Sequence, residues 1–162
     1  MRDKKFSSIG QVLDPANLYK TNRAINKIIV HCSATNNTKD FDAHDIDRWH
    51  LDRGWSGIGY HYVVLRDGTL QKGRWVDAIG AHAEGHNTGT IGICYIGGLD
   101  SKGRVAMDEM TLEQHLTLYK TLEALLSIYG LKRSDVLGHN ELPNVKKSCP
   151  CLSMSQIRKE IL

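Results

Sequence analysis

Two short runs of apolar, largely β-branched residues restrict the fold more than any other feature of the chain: Lys27-Ile28-Ile29-Val30-His31-Cys32 and Thr90-Ile91-Gly92-Ile93-Cys94-Tyr95-Ile96. Neither run alternates apolar with polar, so each reads as a strand covered on both faces, and such strands need a sheet with helices packed against it. The helices are legible from their ends. Asp42 can cap a helix over about 43–53 that carries Ile46 and Trp49 on one face and stops at Gly54. Thr111 and Gln114 form a capping box for the longest helix, running to about 129 and closed by Gly130. Leu112, Leu116, Tyr119, Leu122 and Leu126 recur along it at spacings of three and four, which predicts the stripe that faces the core. Ser153 and Gln156 cap a last helix with Met154, Ile157 and Ile161 inward. A strand over 60–65 turns at Arg66-Asp67-Gly68 into an antiparallel return over 69–74, because Asp-Gly tolerates positive φ, and Val136-Leu137-Gly138 adds a short final strand. The expected class is α/β: a single domain with a central mixed β-sheet flanked by helices.

A chain of 162 residues suits one such domain. Residues 1–24 are polar and without period and read as an N-terminal extension, leaving 25–162 as the folded unit. The net charge of +3 comes from scattered Lys and Arg, which argues against a nucleic-acid partner and weakly for an anionic surface such as a cell wall. Cysteines at 32, 94, 149 and 151 are too few and too uneven for a disulfide scaffold, so synthesis in a reducing compartment is the simpler expectation. The first ten residues are basic but have no apolar stretch behind them, so a cytoplasmic start without a signal peptide is expected. No run has the length to insert in a membrane.

The chemistry concentrates near the C-terminus, in His139-Asn140-Glu141-Leu142-Pro143-Asn144-Val145-Lys146-Lys147-Ser148-Cys149-Pro150, read together with His31 at the end of the first buried strand. Two imidazoles and a thiolate would leave the fourth corner of a zinc tetrahedron open to water, the pattern of a catalytic site. Taken alone, a histidine at a strand end is more often a packed core residue, and Cys151 offers a second thiolate beside Cys149. A Cys32–His31 nucleophile–base pair is geometrically poor, since neighbours on a strand face opposite ways. The same alternation points His61 away from Tyr60 and gives it a packing or supporting role. His44, His50 and His115 fall on helices as surface or structural residues, and Trp49, Trp55 and Trp75 are candidate sugar-stacking surfaces, Trp49 being better explained as core.

Five landmarks, in order, carry a resemblance: His31-Cys32-Ser33-Ala34-Thr35, Gly59-Tyr60-His61-Tyr62, Gly80-Ala81-His82-Ala83-Glu84-Gly85-His86-Asn87, Ile91-Gly92-Ile93-Cys94 and Lys147-Ser148-Cys149-Pro150. They are similar to those of the zinc-dependent, type-2 N-acetylmuramoyl-L-alanine amidases, a family that includes phage lysozyme-like enzymes and is related to peptidoglycan recognition proteins. The resemblance runs from about Ile25 to the final helix and implies an amidase domain over 25–162. It implies hydrolysis of the amide between N-acetylmuramic acid and L-alanine, in peptidoglycan or in soluble muropeptides, with Zn2+ as cofactor. Matched position by position, it implies His31, His139 and Cys149 as zinc ligands, Cys149 being preferred to Cys151 by its Lys-x-Cys-Pro context. Tyr60 and Lys147 then match catalytic positions, and His82 and Asn87 match a loop that lines the peptide cleft. A non-catalytic binding module is the rival reading, and the retained Cys149 weighs against it. The protein would meet the wall after release from the cytoplasm, or meet wall fragments in the cytosol.

Overall fold

The computed structural model describes residues 2–104 and 109–162. Strands β1 (Val12–Leu13), β2 (Lys27–Cys32), β4 (Tyr62–Val64), β5 (Leu70–Lys72), β6 (Thr90–Tyr95) and β8 (Val136–Gly138) form one sheet in the order β1-β5-β4-β6-β2-β8, while β3 (Thr35–Asn36) and β7 (Gly98–Leu99) pair separately. The four strands β4, β6, β2 and β8 run parallel, and β5 and β1 close one edge antiparallel, so the sheet is mixed as expected. The helices are α1 (Ala43–Asp52), α2 (Leu112–Tyr129) and α3 (Met154–Glu160).

The β2 run is apolar throughout because both of its faces are covered. Ile28, Val30 and Cys32 pack into the cluster formed with Leu118, Leu122 and Leu125 of α2 and with Met154 and Ile157 of α3. Ile29 turns to the other side with Ala83 and Leu142, and His31 shares that face by alternation. Cys32 therefore faces away from His31, which removes the nucleophile–base pair. Above the same sheet α1 buries Ala43 and Ile46 against Val63, Cys94 and Ile96. Phe6 joins that cluster from the N-terminal segment, which also supplies β1 and the Arg2–Asp47 ion pair at 2.9 Å.

Asp42 caps α1 as read, and the structure adds Asp45 to make a capping box there; the box of Thr111 and Gln114 forms at the start of α2, and Gly130 ends α2 at φ 62. The predicted stripe on α2 needs correction. Leu122 and Leu126 are buried, but Leu112 and Leu116 are 70% and 53% exposed, and the inward face carries Gln114, Leu118, Thr121, Leu122 and Leu125. Gln114 sets this rotation. Its side-chain oxygen accepts from Thr111 N, and its amide donates to the carbonyls of Ile96 at 2.8 Å and Val64 at 3.3 Å, so a polar residue takes the core position.

Two buried histidines make the fold acid-sensitive. His61 Nδ1 accepts from Gly92 N and its Nε2 donates to Ala78 O, while His50 Nδ1 accepts from Gly59 N. Burial pushes His61 down to about 3 and His50 down to about 4, against 6.5 for the free side chain. Both folded rings stay neutral where the unfolded chain takes up protons. Stability is expected to be full above about pH 6.5 and to fall between there and about pH 3, by on the order of a few kcal/mol, in urea titrations at stepped pH.

Candidate metal centre and cleft

The parallel pairing of β2 with β8 builds the centre. Val30 lies opposite Gly138, so His31, still within β2, and His139, just past the end of β8, stand side by side, with ring centroids 4.6 Å apart. The 3-10 turn His139–Glu141 is braced from below. Glu141 accepts from Gly138 N at 2.8 Å and grips Arg158 of α3 through two bonds of 2.7 and 2.8 Å, and Arg158 also donates to Val136 O. Arg158 beside it holds the Glu141 carboxyl below its ordinary value. The loop that follows returns Cys149 to the same corner, where Asn140 N donates to Cys149 O and Cys32 N donates to Cys149 Sγ at 3.3 Å.

Ligand atoms of His31, His139 and Cys149 all lie within 4.8 Å of one another, with His31 Nδ1 at 3.9 Å from Cys149 Sγ. Ligands about 2.1 and 2.3 Å from a tetrahedral zinc stand about 3.5 Å apart, so this donor set fits the ion after small side-chain shifts. The rings are in the right protonation state to ligate. Burial, followed by the neighbouring His82, His139 and Lys147, holds His31 far below its ordinary value, and burial and Lys147 hold His139 down. Cys151 is not part of the set: its Sγ lies 3.8 Å from Cys32 Sγ, on the opposite side of β2.

The centre opens into a cleft of about 870 Å3 between loop 81–87 and loop 143–147, with Trp55 on a third side and His139 at its floor. Tyr60 sits beside the centre, its ring 5.0 Å from that of His31. Burial, then the Cys94, Cys149 and Cys32 thiols, push its hydroxyl well above the ordinary value, and the hydroxyl is hydrogen-bonded to the Cys94 side chain. Lys147 lies on the cleft wall, exposed. Asn87 lines the cleft too, while its Oδ1 accepts from the backbone N–H of His82 and Ala83, holding the loop closed. His82 is buried, with Nδ1 2.8 Å from His31 Nε2 and Nε2 3.2 Å from Thr90 Oγ1.

Residues 21–151 match the family model described as N-acetylmuramoyl-L-alanine amidase. The chain belongs to this family. The amidase is 46% identical over 130 residues to an endolysin of Klebsiella phage KP32, which spans 80% of this chain and 83% of that protein. It is 35% identical over 138 residues to the endolysin of Escherichia phage T7, covering 85% and 88%. Among solved structures it resembles the endolysin amidase LysCS of Clostridium intestinale, at TM-score 0.72 and 29% identity over 90% of this chain and 88% of that one. It shares its fold with bumblebee PGRP-SA, at TM-score 0.69 and 22% identity, over 92% and 89% of the two chains.

Of the tryptophans in this amidase, Trp55 lines the cleft, Trp49 packs on Phe41 in the cluster under α1, and Trp75 stacks on Tyr19 at a separate pocket. Sequence reasoning missed Glu141, Arg158 and Thr90. A capping pattern within 138–141 was the available signal for Glu141, and nothing local to Arg158 or Thr90 announces a partner in the site.

Proposed function

We propose that this amidase is a zinc hydrolase that cuts the amide joining N-acetylmuramic acid to the L-alanine of the stem peptide, with His31, His139 and Cys149 holding the metal. The observation that carries the reading is the convergence of three N/S donors, far apart along a chain of this family, one of which, His139, stands at the floor of an open cleft. Zinc, when bound, supplies Lewis-acid polarisation of the scissile carbonyl and draws the pKa of water towards about 7. The chain's own groups do the rest. Loop 81–87, held shut by Asn87, and Trp55 orient the peptide and sugar; Tyr60 donates its proton-bearing hydroxyl to the oxygen that gains charge; the Lys147 ammonium, on the cleft wall, stabilises the same charge.

The substrate is polymeric peptidoglycan, reached after release from the cytoplasm; the naming of relatives as endolysins supports this. No helix among the described residues is long and apolar enough to cross a membrane.

Protein purified without chelator is expected to carry about one zinc per chain, and on purified sacculi to generate L-alanine amino termini without new reducing sugar ends. Reducing ends would mark a glycosidase. Zinc-free protein that binds sacculi without cutting them would mark the recognition module instead. Soluble muropeptides cut far faster than sacculi would move the site of action to fragments.

A further inference from the structure

We infer that His82 is a positioning residue for the metal rather than a contact for the peptide: through Thr90 it fixes the tautomer of His31, so that Nδ1 of His31 is bare and aimed at the ion. The inference rests on the assignment of His31 as a zinc ligand and adds a tier beneath it.

The direction of each hydrogen bond follows from Thr90, which is buried at the start of β6. Its hydroxyl has one hydrogen, and two carbonyls compete for it, His86 O at 2.8 Å and Asn87 O at 3.1 Å. Both contacts are shorter than the 3.2 Å to His82 Nε2, so toward His82 the hydroxyl oxygen is an acceptor and His82 carries its proton on Nε2. The His82 ring is enclosed, with no acid partner among the described residues, so it holds one ring proton rather than two. Its Nδ1 is therefore a bare acceptor. The 2.8 Å contact to His31 Nε2 can form only if His31 donates from Nε2. Neutral His31 then has its lone pair on Nδ1, the atom 3.9 Å from Cys149 Sγ. One hydroxyl on β6 thereby keeps bare the nitrogen of His31 that faces the metal corner, the job a carboxylate or carbonyl performs for many metal-bound histidines.

The sheet is shaped for this contact. A Cβ placed on Gly92 would fall 2.5 Å from His82 Cγ, so the His82 ring lies directly on the bare backbone of β6. Gly92 pairs with Ile29, two positions before His31, which puts the ring within reach of its partner. The glycine in Ile91-Gly92-Ile93 thus admits the supporting imidazole. With both nitrogens engaged inside the protein, His82 has no polar ring atom left for a stem peptide.

Zinc affinity by chelator competition, and long-range 1H–15N spectra of the zinc-free protein, test the assignment in H82F and in the shape-conserving T90V. The parent's His31 is expected to be protonated on Nε2 alone, and H82F to mix the two tautomers and weaken zinc binding by about 10- to 100-fold. T90V, which keeps the side-chain volume but removes the hydroxyl, should show the same changes to a lesser degree. Zinc affinity in both variants within about twofold of the parent overturns the proposal, as does a rise in KM at unchanged zinc affinity or a parent His31 protonated on Nδ1. A parent that takes up no zinc overturns the metal assignment instead, and the tautomer spectra still decide the hydrogen-bond chain.

Discussion

Cys149→Ala is expected to yield a folded protein that retains no stoichiometric zinc and digests sacculi more than a hundredfold more slowly than the parent. Replacing groups that merely support a metal ligand costs about 10- to 100-fold, and loss of the ligand itself should exceed that. Two reasons make Cys149 the most sensitive of the three donors. It brings the only formal negative charge to the set, and the loop that carries it is tied to the strand end by the Cys32 amide, which donates to Sγ at 3.3 Å. The thiol is half-buried at the margin of the core cluster beneath α2 and α3, so its removal opens little space and the fold should survive. Cys151 cannot take over, because its sulfur rests against Cys32 across β2. Elemental analysis, turbidity loss of sacculi and circular dichroism on one preparation read all three effects. A Cys149→Ala variant that clears sacculi at the parental rate would remove the basis for the metal centre.

The second large effect belongs to the donors opposite the metal. Lys147→Ala and Tyr60→Phe should each lower kcat about a hundredfold or more while zinc content stays at the parental level, since one preorganised donor to a developing oxyanion is worth that much. Lys146→Ala should do much less. The two lysines are adjacent in sequence, but it is the Lys147 charge that bears on both His31 and His139. The Tyr60 hydroxyl, kept protonated by its surroundings, is suited to donate and unsuited to serve as base. Its loss should therefore leave the pH profile in place and lower its height. A kcat for Lys147→Ala within about threefold of parent would reassign the oxyanion to Tyr60 alone.

The parts of this protein legible in its sequence are those fixed by local chemistry or by a motif. The unbroken apolar run of β2 announced a strand covered twice, and the Thr111–Gln114 box announced the start of α2, because a cap is satisfied within four residues. The inward face of α2 was misread because it depends on Ile96 O and Val64 O, the carbonyls that Gln114 satisfies. Periodicity weighs leucine by hydrophobicity and cannot see a distant carbonyl in need of a donor. His31, His139 and Cys149 came forward through motif resemblance, and the parallel register of β2 with β8 is what makes their meeting physical. The His82–His31 contact spans 51 positions and depends on the missing side chain of Gly92, and a pattern search cannot read the absence of an atom as an instruction.

The pairing of β2 with β8 also has a temporal side. Strands joined over so long a stretch of chain cannot meet during early synthesis, and slow, non-local closure is the general cost of such topology. While the ribosome is still working, His31 emerges long before His139 and Cys149, and the brace from Arg158 emerges last of all. A nascent chain that has not yet reached Cys149 therefore lacks the full donor set of the proposed centre.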